Sequence, residues 1–157
     1  MSAQERLLQD IEGMSVAERE RVALELARRG AVVAFKTKPW ERAETYAAGP
    51  WDAEPYGYVE WTDAWTGLRC WISRNEYGSW CGYVRLPKGS PLLDLDINDL
   101  NVHGGVTWCR GDVVGFDCYH SFDASPSRPE VGEYRNMLFA RSETEALAWQ
   151  IAQLETP

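Results

Sequence analysis

The spacing of apolar positions predicts helices at both ends of the chain and strands between them. Ser2-x-x-Glu5 has the form of a capping box, in which a hydroxyl and a carboxylate satisfy the orphan amides of a helix start. Leu7, Leu8 and Ile11 follow, and Gly13 supplies a stop. A second box, Ser15-x-x-Glu18, precedes the stripe Val22, Ala23, Leu26 and Ala27. Arg28 and Arg29 suit the negative helix end, and Gly30 sits where a C-cap glycine belongs. Residues 1–30 are therefore expected to form an N-terminal helical hairpin. Residues 31–36 read as a short strand. Residues 37–55, broken by Pro39, Gly49, Pro50 and Pro55, read as a long loop anchored by Trp40 and Trp51, a tether or a lid.

The middle of the chain is rich in β-branched and aromatic residues. Strands over 58–62, 68–74 and 79–86, with turns at 63–67 and 75–78, predict an antiparallel meander. A helical turn is expected at 96–100. Strands over 101–109 and 112–120 then form a hairpin, and 121–132 is a loop. Ser142-x-x-Glu145 is a third capping box, and Leu147, Ile151 and Leu154 at helical spacing predict a closing amphipathic helix. The expected fold class is α+β: an antiparallel sheet of five or six strands, an N-terminal helical hairpin and a C-terminal helix. Residues 31–157 form the α+β body, and the whole is one domain.

Composition narrows the function classes. The 157 residues suit one domain, and an apolar share of 45% supplies a core. A formal net charge of −8 argues against direct nucleic-acid binding and against an anionic membrane surface, because both need basic surfaces. No apolar run is long enough to span a bilayer. The charged, amphipathic start lacks the apolar core of a signal peptide, so a cytoplasmic location is expected. The four cysteines, Cys70, Cys81, Cys109 and Cys118, are then reduced thiols, and none stands in a C-x-x-C pair. Eight tryptophans serve a small core well and also suit a binding surface.

Both histidines, His103 and His120, fall in the predicted hairpin. A two-residue turn at Arg110-Gly111 puts His103 opposite Cys118 and Asn101 opposite His120, on one face. A three-residue loop shifts the register and brings His103 to Asp117. The first arrangement is a Cys/His cluster able to hold zinc or another divalent metal, with Asp123 as a further oxygen ligand. The second is a His–Asp pair suited to general-base catalysis. Gly104 and Gly105 leave backbone uncovered, as where a ligand packs close. The plain alternative is a pair of hydrogen-bonded structural histidines. Asp94-x-Asp96-x-Asn98 opens like a calcium loop, but Asp99 replaces the required glycine and Gly105 the final glutamate. No phosphate-binding loop or nucleophile elbow is present, and nothing near Cys118 activates its thiol.

The runs EWTDAWTGLRCWISR, WCGYVRLPKGSPL, NVHGGVTW and GFDCYHSFD resemble a group of small uncharacterised proteins of bacteriophages and bacteria, including actinobacteria. That group's pattern falls on Trp80, Cys81, Gly82, Tyr83 and Val84, on His103, Gly104, Gly105 and Thr107, and on Gly115, Phe116, Asp117, Cys118, His120 and Asp123. Ser90 stands where the group has histidine, which weighs against chemistry needing a third one, and Phe122 stands where it has a small residue. The resemblance implies a phage or mobile-element setting, not a reaction. Two function classes follow. One is a non-enzymatic accessory protein that binds a host component, as an inhibitor of a defence nuclease or a sequestrant of a nucleotide signal. Its expected contacts are Trp80, Gly104, Gly105, Cys118 and Asp123. The other is a metal-assisted or His-dependent hydrolase with His103, His120 and Asp117 as catalytic candidates and His103, His120 and Asp123 as metal ligands.

Overall fold

The computed structural model describes residues 33–87, 89–90 and 99–155. Six strands form one antiparallel sheet: β1 (Val33–Pro39), β2 (Tyr56–Thr62), β3 (Arg69–Arg74), β4 (Trp80–Arg85), β5 (Trp108–Arg110) and β6 (Val113–Asp117). Their order is β1-β2-β3-β4-β6-β5. A small parallel pair, β7 (Asp123–Ala124) and β8 (Glu133–Tyr134), follows, and a single helix, α1 (Met137–Glu155), closes the chain. The α+β class and the closing helix agree with the sequence reading. The N-terminal helical hairpin and the Asp94-x-Asp96-x-Asn98 run lie outside the described residues.

Strand alternation explains which face is buried. Val59 and Trp61 on β2, Cys70 and Ile72 on β3, Trp80 and Val84 on β4, and Val114 and Phe116 on β6 point to one side and form the core. α1 lies on that side, burying Ala140, Leu147, Ala148 and Ile151 completely. Each large side chain removed from water there stabilises the fold by about 1.5–3 kcal/mol. Gly82 lets the helix approach: a Cβ at that position would lie 2.2 Å from Thr144 Oγ1. The opposite face of the sheet is covered by no helix among the described residues.

The stretch before β2 acts as a strap. Trp51 is buried in a 3-10 turn (Pro50–Ala53) and meets Tyr134 edge-on. Glu54 Oε1 accepts from Arg74, from Trp80 Nε1 and from the Tyr134 hydroxyl, while its Oε2 accepts from the Met137 amide. The Arg74 guanidinium lies between the Trp40 and Trp80 rings, 3.9 and 4.3 Å from their centroids. This satisfies a cation whose side chain is almost wholly buried.

Several boundaries differ from expectation for identifiable reasons. β1 extends to Pro39, which an edge strand tolerates, and its exposed Lys36 and Lys38 discourage further pairing. α1 starts at Met137, ahead of the Ser142 capping box, because the Asn136 side chain accepts from the Phe139 amide and Glu54 caps Met137. The predicted strand 101–109 shrinks to Trp108–Arg110. Gly104 and Gly105 adopt φ of 71° and 82°, and the Gly105 amide closes a turn on the Val102 carbonyl, so the strand cannot run through them. Both expected hairpin registers are overturned. Trp108 pairs with Gly115, Cys109 with Val114 and Arg110 with Val113, which leaves Gly111-Asp112 as the loop. Gly111 takes the first loop position at φ 60°, a conformation a glycine supplies at no steric cost.

Candidate functional site

His103 stands in the turn before β5 and His120 in the turn after β6, so a turn-to-turn contact brings them together, not a strand pairing. Between them lies Asp123, fully buried at the start of β7. His103 Nε2 is 3.0 and 2.9 Å from the two Asp123 carboxylate oxygens. His120 Nδ1 is 2.7 Å from Oδ2, and the His120 amide donates to the same oxygen at 3.1 Å. Arg135 Nε donates to Oδ1 at 3.1 Å. Burial opposes ionisation of Asp123, but the hydrogen bonds from His103, His120 and Arg135 outweigh it and hold the carboxyl below its usual range. An ionised carboxylate only accepts, so each imidazole keeps a proton on the nitrogen facing it.

The rings are packed as well as bonded. His103 meets Phe122 and Phe139 edge-on, and Phe122 lies nearly parallel to His120. Gly104 lies against the His120 ring, where a Cβ would be 2.2 Å from Cε1 and Nε2. His120 Nε2 is therefore buried, has no hydrogen-bond partner among the described residues, and lies 3.5 Å from Asp117 Oδ1. Arg128 donates to the His120 carbonyl at 2.7 Å. Glu143, on α1, faces the same cluster. Burial raises its carboxyl, against the opposing pull of His103 and Arg135.

The sequence-predicted residues thus separate. His103, His120 and Asp123 come together, and their ligating atoms lie within 4.8 Å of one another, close enough to share a metal ion. The fit is incomplete. Asp123 already accepts from both rings and from Arg135, so a cation there would displace ring protons and sit beside a guanidinium. Asp117 stands to one side, accepting from Thr107 Oγ1 at 2.9 Å and from the Tyr119 amide at 3.0 Å. Cys118 is buried, and burial pushes its thiol well up; the expected Cys118–His103 pairing does not form, because β5 begins only at Trp108. Trp80 is wholly inside the core, under Arg74. Gly104 packs on His120, while Gly105 faces open space. Arg135, which completes the cluster, carried no signal in the sequence.

A second feature escaped the sequence reading. Cross-strand partners share a face, so Trp71, Tyr83, Gly115 and Trp108 form one row across β3, β4, β6 and β5 on the helix-free side. Trp71 and Tyr83 stack with centroids 5.5 Å apart, and Trp108 meets Tyr83 edge-on at 6.4 Å. The Tyr83 ring leans over Gly115, where a Cβ would come within 2.5 Å. One step along the strands stand Arg69, Arg85 and Arg110, and one step the other way Ser73, Cys81 and Asp117. Arg85 and Arg110 lie over Trp71 and Trp108. Trp71, Ser73, Tyr83, Trp108, Arg110 and Val113 line a shallow depression. The signal was the parity of the aromatic residues, opposite to that of the core positions on the same strands.

That face also departs from the charge of the whole. Its strand positions carry Lys36, Lys38, Arg69, Arg85 and Arg110 against Glu60 and Asp117, a basic balance in a chain of net charge −8. Among the described residues no helix is long and apolar enough to cross a membrane. No protein-family model matches the sequence, and neither a curated protein nor a solved structure shows significant similarity to it.

Proposed function

We propose that the protein works by binding and not by turnover, as an accessory protein that occupies a host component through the helix-free face of its sheet. The row Trp71, Tyr83, Gly115 and Trp108 carries this reading. Aromatic side chains in mutual contact, edged by arginines, on a face that no helix covers among the described residues have the composition of an interface centre. The Asp123 cluster then acts as a clasp that fixes the turns on either side of the β5–β6 hairpin. A phage or mobile-element setting, implied by the resemblance, belongs to the same proposal. The test is to incubate the full chain with host extract, re-purify it and identify what is retained by mass spectrometry. Trp108→Ala and Tyr83→Ala should each release the retained component, while Leu154→Ala, on the exposed outer side of α1, should keep it. Equal retention by all three variants would sink the reading.

One observation favours a second reading, a His-dependent or metal-assisted hydrolase. His120 has Nδ1 held by a buried carboxylate, and its Nε2, 3.5 Å from Asp117 Oδ1, has no hydrogen-bond partner among the described residues, the arrangement of an oriented general base. Gly104 covers that nitrogen, so the turn at 104–105 must swing aside before substrate could reach it. If zinc or another divalent ion were bound, His103, His120 and Asp123 would hold it, and it would polarise a substrate oxygen or activate water. Elemental analysis of the purified protein beside His103→Ala and His120→Ala decides the metal version: metal lost in either variant supports it, and a metal-free wild type removes it.

A further inference from the structure

We infer that the sheet face takes a free nucleotide, with the base on the aromatic row and the phosphate on the arginine row. The inference rests on the binding reading above and names the ligand class for that surface. Nucleobases are flat π-systems that stack on indole and phenol rings regardless of sequence. Trp71 and Tyr83 stack on each other, and Tyr83 fills the space over Gly115, so the open ring is Trp108, which stands at 87° to Tyr83 and lines the depression with it and Arg110. A planar group therefore has the Trp108 indole to stack on, with Tyr83 beside it.

The phosphate end follows from strand geometry. The arginine row lies two residues from the aromatic row, about 6.6–6.8 Å along the strands, a span that a sugar bridges. Guanidinium groups match phosphate oxygens bidentately. Arg110 makes no ion pair among the described residues, and its only ring contact there is Trp108, so its donors stand open to an anion. Arg85 already pairs with Asp112 at 3.0 Å, so it is the weaker candidate. Two features favour a free nucleotide over a strand. The net charge of −8 repels a long phosphate backbone, and among the described residues the face carries one aromatic row where a strand needs successive platforms.

The experiment titrates the full chain, by calorimetry and tryptophan fluorescence, with the common 5′-mononucleotides, cyclic di-AMP, adenosine and a short mixed single-stranded oligonucleotide. Trp108 and Arg110 are exposed, so their variants should keep the wild-type melting point, which is checked first. The expected result is saturable quenching by at least one mononucleotide or the cyclic dinucleotide, weakened about 5- to 150-fold by Trp108→Ala. Arg110→Ala should weaken AMP while leaving adenosine unchanged. No binding by any nucleotide at millimolar concentration overturns the inference, as does equal affinity for AMP and adenosine. So does a strand that binds while mononucleotides do not. If nucleotides fail and Trp108→Ala still releases a host protein from the re-purified chain, the ligand class falls and the binding face stands.

Discussion

Replacing Asp123 with alanine tests the clasp most directly. The side chain is wholly buried and accepts from His103, from the His120 ring and amide, and from Arg135. Truncation leaves a guanidinium and two imidazoles facing a small void without their acceptor. Removing one partner of a buried ionic group costs about 3–5 kcal/mol, and the lower end applies here because Arg135 keeps its pairing with Glu133 at 3.3 Å. Domains of this kind are stable by about 5–15 kcal/mol, so the variant should fold, with little reserve. Urea unfolding should show a lower midpoint with an unchanged slope, and a melting point lower by about 6–20 °C. Asp123→Ala with Arg135→Met should cost less than the two single changes added, since the stranded cation is removed as well. A loss under about 1 kcal/mol, or strict additivity, would refute the clasp. The pH dependence has a fixed sign. Asp123's carboxyl is held below its ordinary value of 3.8, so its stabilisation is complete above that value. It should fade as pH falls below about 4 and vanish once the folded carboxyl protonates. Asp123→Ala should lose that acid-side dependence.

Three glycines at positive φ should separate by what their missing side chains would meet. Gly67→Ala meets nothing and should cost only the backbone penalty of about 1–2 kcal/mol. Gly104→Ala drives a methyl into the His120 ring and should cost more, and Gly132→Ala collides with the Phe122 carbonyl backbone and should fail to give a folded product, all read by thermal melts. Thiol labelling of the native protein should modify Cys109 rapidly and leave Cys70, Cys81 and Cys118 untouched until unfolding, since those three are buried and burial pushes their thiols up, Cys81 to about 11. Rapid labelling of any of the three would contradict the burial. Hydrogen exchange should quicken at β5 in His103→Ala while β2 and β3 keep their protection; unchanged exchange at β5 would show that the clasp does not hold it.

Much of the sheet was legible because alternation and turn chemistry agreed. In β3, Cys70 and Ile72 face inward and Trp71 and Ser73 outward, and Asp63-Ala-Trp-Thr-Gly67 turns with Gly67 at φ 74°. The closing helix was legible from Leu147 and Ile151, but its start was not. Glu54, 83 residues before Met137, caps that start, and no local pattern reports such a distant partner. The His103 contacts failed in the same way. Treating 101–109 as strand assumed that Gly104 and Gly105 would be extended, whereas their positive φ ends the ladder and swings His103 towards Asp123. Three of the residues singled out in the sequence, His103, His120 and Asp123, do lie together, because they bracket the hairpin. Their geometry was not legible, because a turn-to-turn contact has no period to read.

The clasp and the proposed binding face meet at β5. That strand has three residues, all exposed, at the edge of the sheet, where a strand so short has little stability of its own. It holds Trp108 and Arg110 at the end of the aromatic and arginine rows. Its position is set at one end by the Gly111-Asp112 loop and at the other by Thr107, whose amide bonds the Gly115 carbonyl and whose hydroxyl bonds Asp117. Four residues earlier, His103 is fastened to Asp123. β6 connects the same two places: Gly115 and Asp117 face the surface, Phe116 and Cys118 the core, and His120 follows in the turn that ends on Asp123. A buried carboxylate that gathers both turns therefore fixes an exposed tryptophan it never touches. On this view the histidines matter to binding without meeting the ligand. Losing one would weaken the face by loosening β5, an effect that a His→Ala activity assay alone would misread as catalysis.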